Sequence, residues 1–126
     1  MERIDMTNLP SSEPQLNHEK LDAYQVAIAL DALVLQVTRR APRGNAWLVD
    51  QAQRAAGSAV LNLVEGTGRE GQDRIQHYRI ARGSAPETDA AMTLLLHRGL
   101  AKQEERLQAK ALAVRLVSML TAMTRR

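Results

Sequence analysis

Apolar residues recur three and four positions apart along most of this chain, the period of helices that each bury one face. No stretch alternates apolar and polar residues in the manner of a strand. Between positions 17 and 40 the pattern runs through Leu21, Tyr24, Ile28, Ala32 and Leu35, with Asn17 as the expected N-cap and Pro42 and Gly44 as the stop. A second periodic segment, at 45–65, begins after Asn45 and ends at Gly66-Thr67-Gly68, where glycines let the backbone turn. A third spans 72–98 with Gly99 as its cap, and a fourth spans 103–124. Residues 1–16, which hold Pro10, Ser11, Ser12 and Pro14 and show no period, read as a mobile leader. Four helices of similar length joined by short loops predict an all-α fold, an antiparallel up-down-up-down four-helix bundle over 17–126. Pro86 falls inside the third helix and is expected to kink it without ending it, with Gly83 and Ser84 absorbing the bend.

The first and last helices are apolar on more than one side. Val26, Leu30, Leu33 and Val37 form a second stripe beside the Leu21–Leu35 face, and the fourth helix carries Leu107, Val114 and Val117 beyond its Leu112, Leu116, Met119 and Met123 stripe. A bundle core takes only one face of each helix, so the surplus predicts contact with another copy.

The second helix carries a polar line, Gln51, Arg54, Ser58, Asn62 and Glu65, hemmed by Leu48, Ala52, Ala55, Ala59 and Leu63. If the second and third helices run antiparallel about a loop near Arg69, paired positions sum to about 140. This register expects ion pairs between Glu65 and Arg79 and between Glu87 and Arg54, with Ser84 also facing the line. The expectation is a structural polar seam that fixes helix register when all its members are satisfied. Carboxylates held by arginines stay ionised and make poor general acids, and neither Ser58 nor Ser84 has a histidine placed beside it. No catalytic residue is therefore expected.

Composition narrows the function further. Of 126 residues, 44% are hydrophobic but only Trp47, Tyr24 and Tyr78 are aromatic, and there is no Phe, so the core is built from small aliphatic side chains. Without cysteine the chain has no disulfide, zinc-thiolate site or catalytic thiol. His18, His77 and His97 fall in separate elements, so no metal site, cofactor or small-molecule substrate is expected. The start lacks a basic segment followed by an apolar one, and Asp31 and Arg115 interrupt the apolar helices, so the reading is a cytoplasmic protein with no membrane partner. The formal net charge is +3; residues 1–23 hold two basic and five acidic residues, which leaves 15 basic against nine acidic in the remainder. Arg39, Arg40, Arg43, Arg69 and Arg74 are the expected contacts if that basic body meets RNA or DNA, at one set of helix ends. With so few aromatic platforms, such binding would run through backbone phosphates.

The run 51–69, QAQRAAGSAVLNLVEGTGR, resembles the signature Q-x-x-R-A-x-x-S-x-x-x-N-x-x-E-G-x-G-R of the four-helix-bundle proteins encoded in intervening sequences of bacterial 23S ribosomal RNA genes. The run 78–89, YRIARGSAPETD, is similar to that family's R-I-A-x-G-S-x-x-E-x-E pattern at Arg79, Ile80, Ala81, Gly83, Ser84 and Glu87 and approximately at Asp89. In the first helix Leu21, Tyr24, Gln25, Ala27, Thr38 and Pro42 fall at matching positions. The resemblance implies a left-turning antiparallel bundle assembled as a homopentameric ring. Related accessory proteins of diversity-generating retroelements bind nucleic acid and a reverse transcriptase through a basic ring surface. The sequence thus leads to a non-enzymatic, homo-oligomeric adaptor or scaffold, with nucleic-acid binding by the assembled ring as the alternative.

Overall fold

Residues 14–125 are described by the computed structural model, and among these described residues lie one 3₁₀ turn, Asn17–Lys20, and four α-helices: α1 (Asp22–Thr38), α2 (Ala46–Thr67), α3 (Gly71–His97) and α4 (Gln103–Met123). Of the expected leader, residues 1–13 lie outside the described residues. The first helix does not start at Asn17. Leu21 is extended, with φ −87° and ψ 130°, and separates the short turn from α1. Local hydrogen bonds close the turn: the Leu16 amide donates to the Glu19 carboxylate at 3.2 Å and the Leu21 amide to the His18 carbonyl at 3.1 Å. The Leu21 carbonyl is then free to accept from Tyr24 at 3.1 Å and open α1.

The other boundaries follow loop chemistry. Asn45 precedes α2, but its side chain donates to the Pro42 carbonyl at 3.0 Å and accepts from Arg98 at 3.3 Å, so it ties two loops together instead of capping the helix. At the other end of α2, Arg74 donates to the carbonyls of Gly66, Thr67 and Arg69 at 3.2, 3.2 and 2.7 Å, satisfying acceptors that a helix C-terminus leaves open. Pro86 leaves α3 one helix. α3 stops at Gly99, whose φ of 74° brings the Leu100 amide to the Leu95 carbonyl and the Gly99 amide to the Leu96 carbonyl, both at 2.9 Å, the paired bonds of a Schellman cap.

Each helix packs on its neighbours in chain order, and α4 returns to α1. Along α2 and α3 the hydrogen-bonded pairs are Thr67 with Tyr78, Asn62 with His77, Ser58 with Ser84 and Asn45 with Arg98; numbers fall on one helix as they rise on the other, so the two run antiparallel. Thr93 with Arg106, Asp89 with Lys110 and Arg82 with Thr124 show the same for α3 and α4. The core centres on Leu30, Leu63, Met92, Leu95, Leu116 and Leu120, with fully buried alanines such as Ala52, Ala59 and Ala81 between them. Small side chains let helix backbones approach closely, which explains how a chain without Phe fills its interior.

Candidate functional site

The closest helix pair, α2 and α3, carries a polar seam shorter than the sequence suggests. Ser84 Oγ donates to Ser58 Oγ at 2.9 Å and also lies 3.0 Å from its own helix's Ile80 carbonyl. Asn62 donates from its amide nitrogen to Ser58 Oγ at 3.1 Å and to the Ser58 carbonyl at 3.0 Å. Its amide oxygen therefore faces His77 Nδ1 at 3.1 Å, so Nδ1 carries the proton. An amide cannot take up a proton, and Asn62 stands between His77 and Ser58, so these hydrogen bonds do not make His77 a base for Ser58. They form a hydrogen-bonded network joining two helices.

The charged members expected in that seam do not join it. Arg54 pairs with Asp50 at 2.7 Å, one turn back on α2, and not with Glu87; Glu65 pairs with Arg69 at 2.6 Å, and not with Arg79. Arg54 is 75% and Glu65 51% exposed in the side chain. Exposed charges gain little from spanning two helices, whereas a partner one turn away costs less ordering entropy. Arg79 and Glu87 lie exposed without an ion pair among the described residues, and Gln51 is half-buried beside the seam.

The five arginines read as one basic surface are separated. Arg39, Arg40 and Arg43 flank the α1–α2 loop, and Arg69 and Arg74 flank the α2–α3 loop at the opposite end of the 22-residue α2, roughly 33 Å away at the helical rise. Arg69 lies between Glu65 and Asp73, at 2.6 and 2.8 Å, and these hydrogen bonds raise its pKa above the usual guanidinium value. Arg74 is occupied capping α2. Arg40 is bound to Glu105. The end of the bundle with the α1–α2 and α3–α4 loops retains exposed Arg39, Arg43, Arg98 and Lys102.

The spacing along the sequence does not show the Arg40–Glu105 contact, which holds the most buried carboxylate of any ion pair among the described residues. Arg40 grips Glu105 with two nitrogens at 2.6 and 2.8 Å, Gln36 donates at 2.9 Å, and the Lys102 amide donates at 2.9 Å. Glu105 is 4% exposed, and the Arg40 hydrogen bond, opposed by burial and helped by the Lys102 amide and Gln36, lowers its pKa to about 2. One signal pointed there: Glu105 continues the buried line Ala109, Ala113, Leu116 and Leu120 toward the start of α4. A carboxylate on a core-facing stripe needs a partner. Sequence does not show which, because no loop joins α1 to α4.

Outside the core, large apolar side chains face outward. Ile28 and Leu35 on α1 are 38% and 37% exposed, and Leu107 and Val114 on α4 are 50% and 60% exposed. A groove of about 190 Å³ between α3 and α4 is lined by Pro86, Asp89, Lys110, Ala113, Val114 and Val117. Among the described residues no group of three or more His, Asp or Glu side chains could hold a metal ion, and no helix is long and apolar enough to cross a membrane.

Comparison with known proteins gives a family and a fold. A family model described as 23S rRNA-intervening sequence protein matches residues 19–122. The crystal structure of a protein of unknown function from the S23 ribosomal protein family of Bacteroides thetaiotaomicron superposes with a TM-score of 0.73 at 15% identity, covering 82% of this chain and 99% of that one. At that identity the likeness concerns the fold alone. No curated protein sequence matches the chain.

Proposed function

Because this chain belongs to the 23S rRNA-intervening sequence protein family, we propose that it works in the cytoplasm as a homo-oligomeric scaffold without catalytic chemistry of its own, assembled as a closed ring of five copies. The observation that carries this reading is the outward display of Ile28 and Leu35 on α1 and of Leu107 and Val114 on α4. Scattered exposed apolar residues are ordinary, but these recur seven apart on each helix and so form stripes, the usual mark of a covered surface. The polar seam of Ser58, Asn62, His77 and Ser84 supports the same reading, since its hydrogen-bonding groups are spent on joining α2 to α3. Light scattering on the eluting full chain tests it: a mass five times the 14.0 kDa of one chain supports the ring, and a monomer at micromolar concentration overturns self-association.

A second reading, phosphate-backbone binding by the assembled protein, rests on the end of the bundle that keeps Arg39, Arg43, Arg98 and Lys102 exposed. Symmetry would repeat that cluster in every copy, so avidity supplies what one mildly basic chain lacks. Binding of this kind weakens steeply with salt and shows little sequence preference. Titration of duplex RNA and DNA at low and physiological salt tests it, and no binding at low salt overturns it.

A further inference from the structure

Two unpartnered surfaces of this chain differ in shape, and one carries an unpaired carboxylate where the other carries an incompletely engaged ammonium. The first is a ridge on α1. Tyr24, Ile28, Asp31 and Leu35 follow one another at spacings of four, three and four, which places them on one stripe. Thr38, seven residues beyond Asp31, accepts from Gln53 of α2 at 3.1 Å, whereas Gln36 and Arg40 reach Glu105 of α4. The ridge therefore runs along the α2 flank of α1. Within it Asp31 is half-buried and has neither a hydrogen bond nor an ion pair among the described residues, a lone carboxylate between two exposed aliphatic side chains.

The second surface is the α3–α4 groove. On α4 the lining runs from Lys110 through Ala113 and Val114 to Val117, seven positions on, and the ridge on α1 runs the same seven positions from Ile28 to Leu35, about 10 Å in each case. The walls are aliphatic and the cation is underused: Lys110 Nζ is 3.6 Å from Asp89 Oδ2, beyond a good hydrogen bond, and its side chain is 48% exposed. Asp89 Oδ1 is buried and has no hydrogen-bond partner. A groove with an unfilled apolar wall and a half-engaged ammonium is incomplete in a single chain.

We infer that the α1 ridge of one copy seats along the α3–α4 groove of a second copy, with the Asp31 carboxylate on the Lys110 ammonium and Ile28 and Leu35 against Leu107 and Val114, which flank Lys110 at the same spacings of three and four. This rests on the self-association proposed above and specifies its contact. Because helices follow one another around the bundle in chain order, the α1–α2 flank and the α3–α4 groove lie on opposite sides, so each copy uses a different surface toward each neighbour. Such a head-to-tail contact leaves a free surface at each end of a pair and is completed only when the copies close into a ring. The unpaired acid on the ridge and the half-engaged base at the groove, which Asp89 approaches only to 3.6 Å, select this pairing over ridge against ridge, which would set two carboxylates together with no cation between them.

The chain's lack of cysteine makes the test direct. The full chain carrying both Asp31→Cys and Lys110→Cys is oxidised and run without reductant, beside each single variant. The inference expects covalent multimers from the double variant alone, because positions 31 and 110 meet only across two copies. Charge exchange gives the second arm: Asp31→Lys and Lys110→Glu each weaken association by about tenfold or more, and the two together recover most of it. Circular dichroism on each variant confirms that the helices remain. A wild-type oligomer that neither crosslinks through this pair nor responds to either charge reversal overturns this contact and leaves self-association standing. A wild-type monomer overturns both.

Discussion

Glu105 shows how a single side chain can join two helices that are not adjacent in sequence. Its carboxylate is ordinary in the unfolded chain and has a pKa of about 2 in the folded one, so it contributes stability that is fully present above its unfolded pKa near 4.5. That stability is lost as pH falls toward 2. Thermal melts between pH 7 and 2.5 are expected to decline through this window in the wild type and to decline less in Glu105→Gln, which starts lower at neutral pH because Arg40 loses its anion. Arg40→Ala strands a buried carboxylate and moves the loss of stability to higher pH. Gly66 is constrained by contact instead of charge. A Cβ there would lie 2.8 Å from the Tyr78 ring and 3.1 Å from the Arg74 carbonyl, and the ring is held by the Tyr78 hydroxyl's 3.0 Å hydrogen bond to Thr67. Gly66→Ala is expected to cost about 2 kcal/mol in chemical denaturation, as overpacking against an immobile neighbour does. Glu65, one residue earlier, sits in an exposed pair with Arg69, so Glu65→Ala is expected to change stability by less than about 0.5 kcal/mol. A loss near the ~3 kcal/mol that follows breaking a buried pair would restore the longer charged seam.

At the scale of elements, α2 and α3 are joined by hydrogen bonds and α1 and α4 by Glu105, while helix ends are set by loop residues. Gly57 lies in the middle of α2 where an added Cβ would meet nothing within 4 Å. Glycine in a helix interior is less favourable than alanine, so Gly57→Ala is expected to raise unfolding free energy by about 0.8 kcal/mol, measured by urea titration. A destabilisation there would mean that something approaches the α2 backbone in the assembled protein. Helix existence and order were legible in the residues because the apolar period is regular and Pro42, Gly68 and Gly99 interrupt it where loops occur. The break at Leu21 was not, because it depends on one extended residue held by bonds from Glu19 and His18, and periodicity carries no record of such a bond. The same limit applied to the seam. Ser58, Asn62 and Ser84 were legible from their spacing, and His77, seven residues from Ser84, fits the same register opposite Asn62, but Tyr78 and Arg79 fit it equally and periodicity does not choose between adjacent residues.

For the molecule as a whole, the proposed self-association turns on the surfaces that a single copy leaves uncovered. Trp47 on α2 is 66% exposed and belongs to neither the α1 ridge nor the α3–α4 groove. Its fluorescence is therefore expected to keep the emission of an aqueous indole and full access to iodide at concentrations where the chain is assembled. A blue-shifted, protected Trp47 would place the contact on α2 instead. The basic surface also changes meaning at this scale. Arg39 and Arg43 share one end of the bundle with Arg98 and Lys102, while Arg69 and Arg74 serve the opposite end as an ion-pair centre and a helix cap.

The sequence by itself determined four helices, their antiparallel order, a small-residue core and the Ser58–Ser84 register, because period, turn residues and short loops are local properties that survive into the folded state. It also determined that no thiol chemistry is available. Only the tertiary structure decided which charges meet. Local pairing competes with pairing across helices, and the balance turns on exposure, which a sequence does not contain: Arg54 and Glu65, in water, settled on neighbours one turn away, whereas Glu105, out of water, drew Arg40 and Gln36 across from α1. The opposite placement of the two arginine groups, by contrast, was already implied by the sequence, since a helix over 45–65 between them turns nearness along the chain into distance in space.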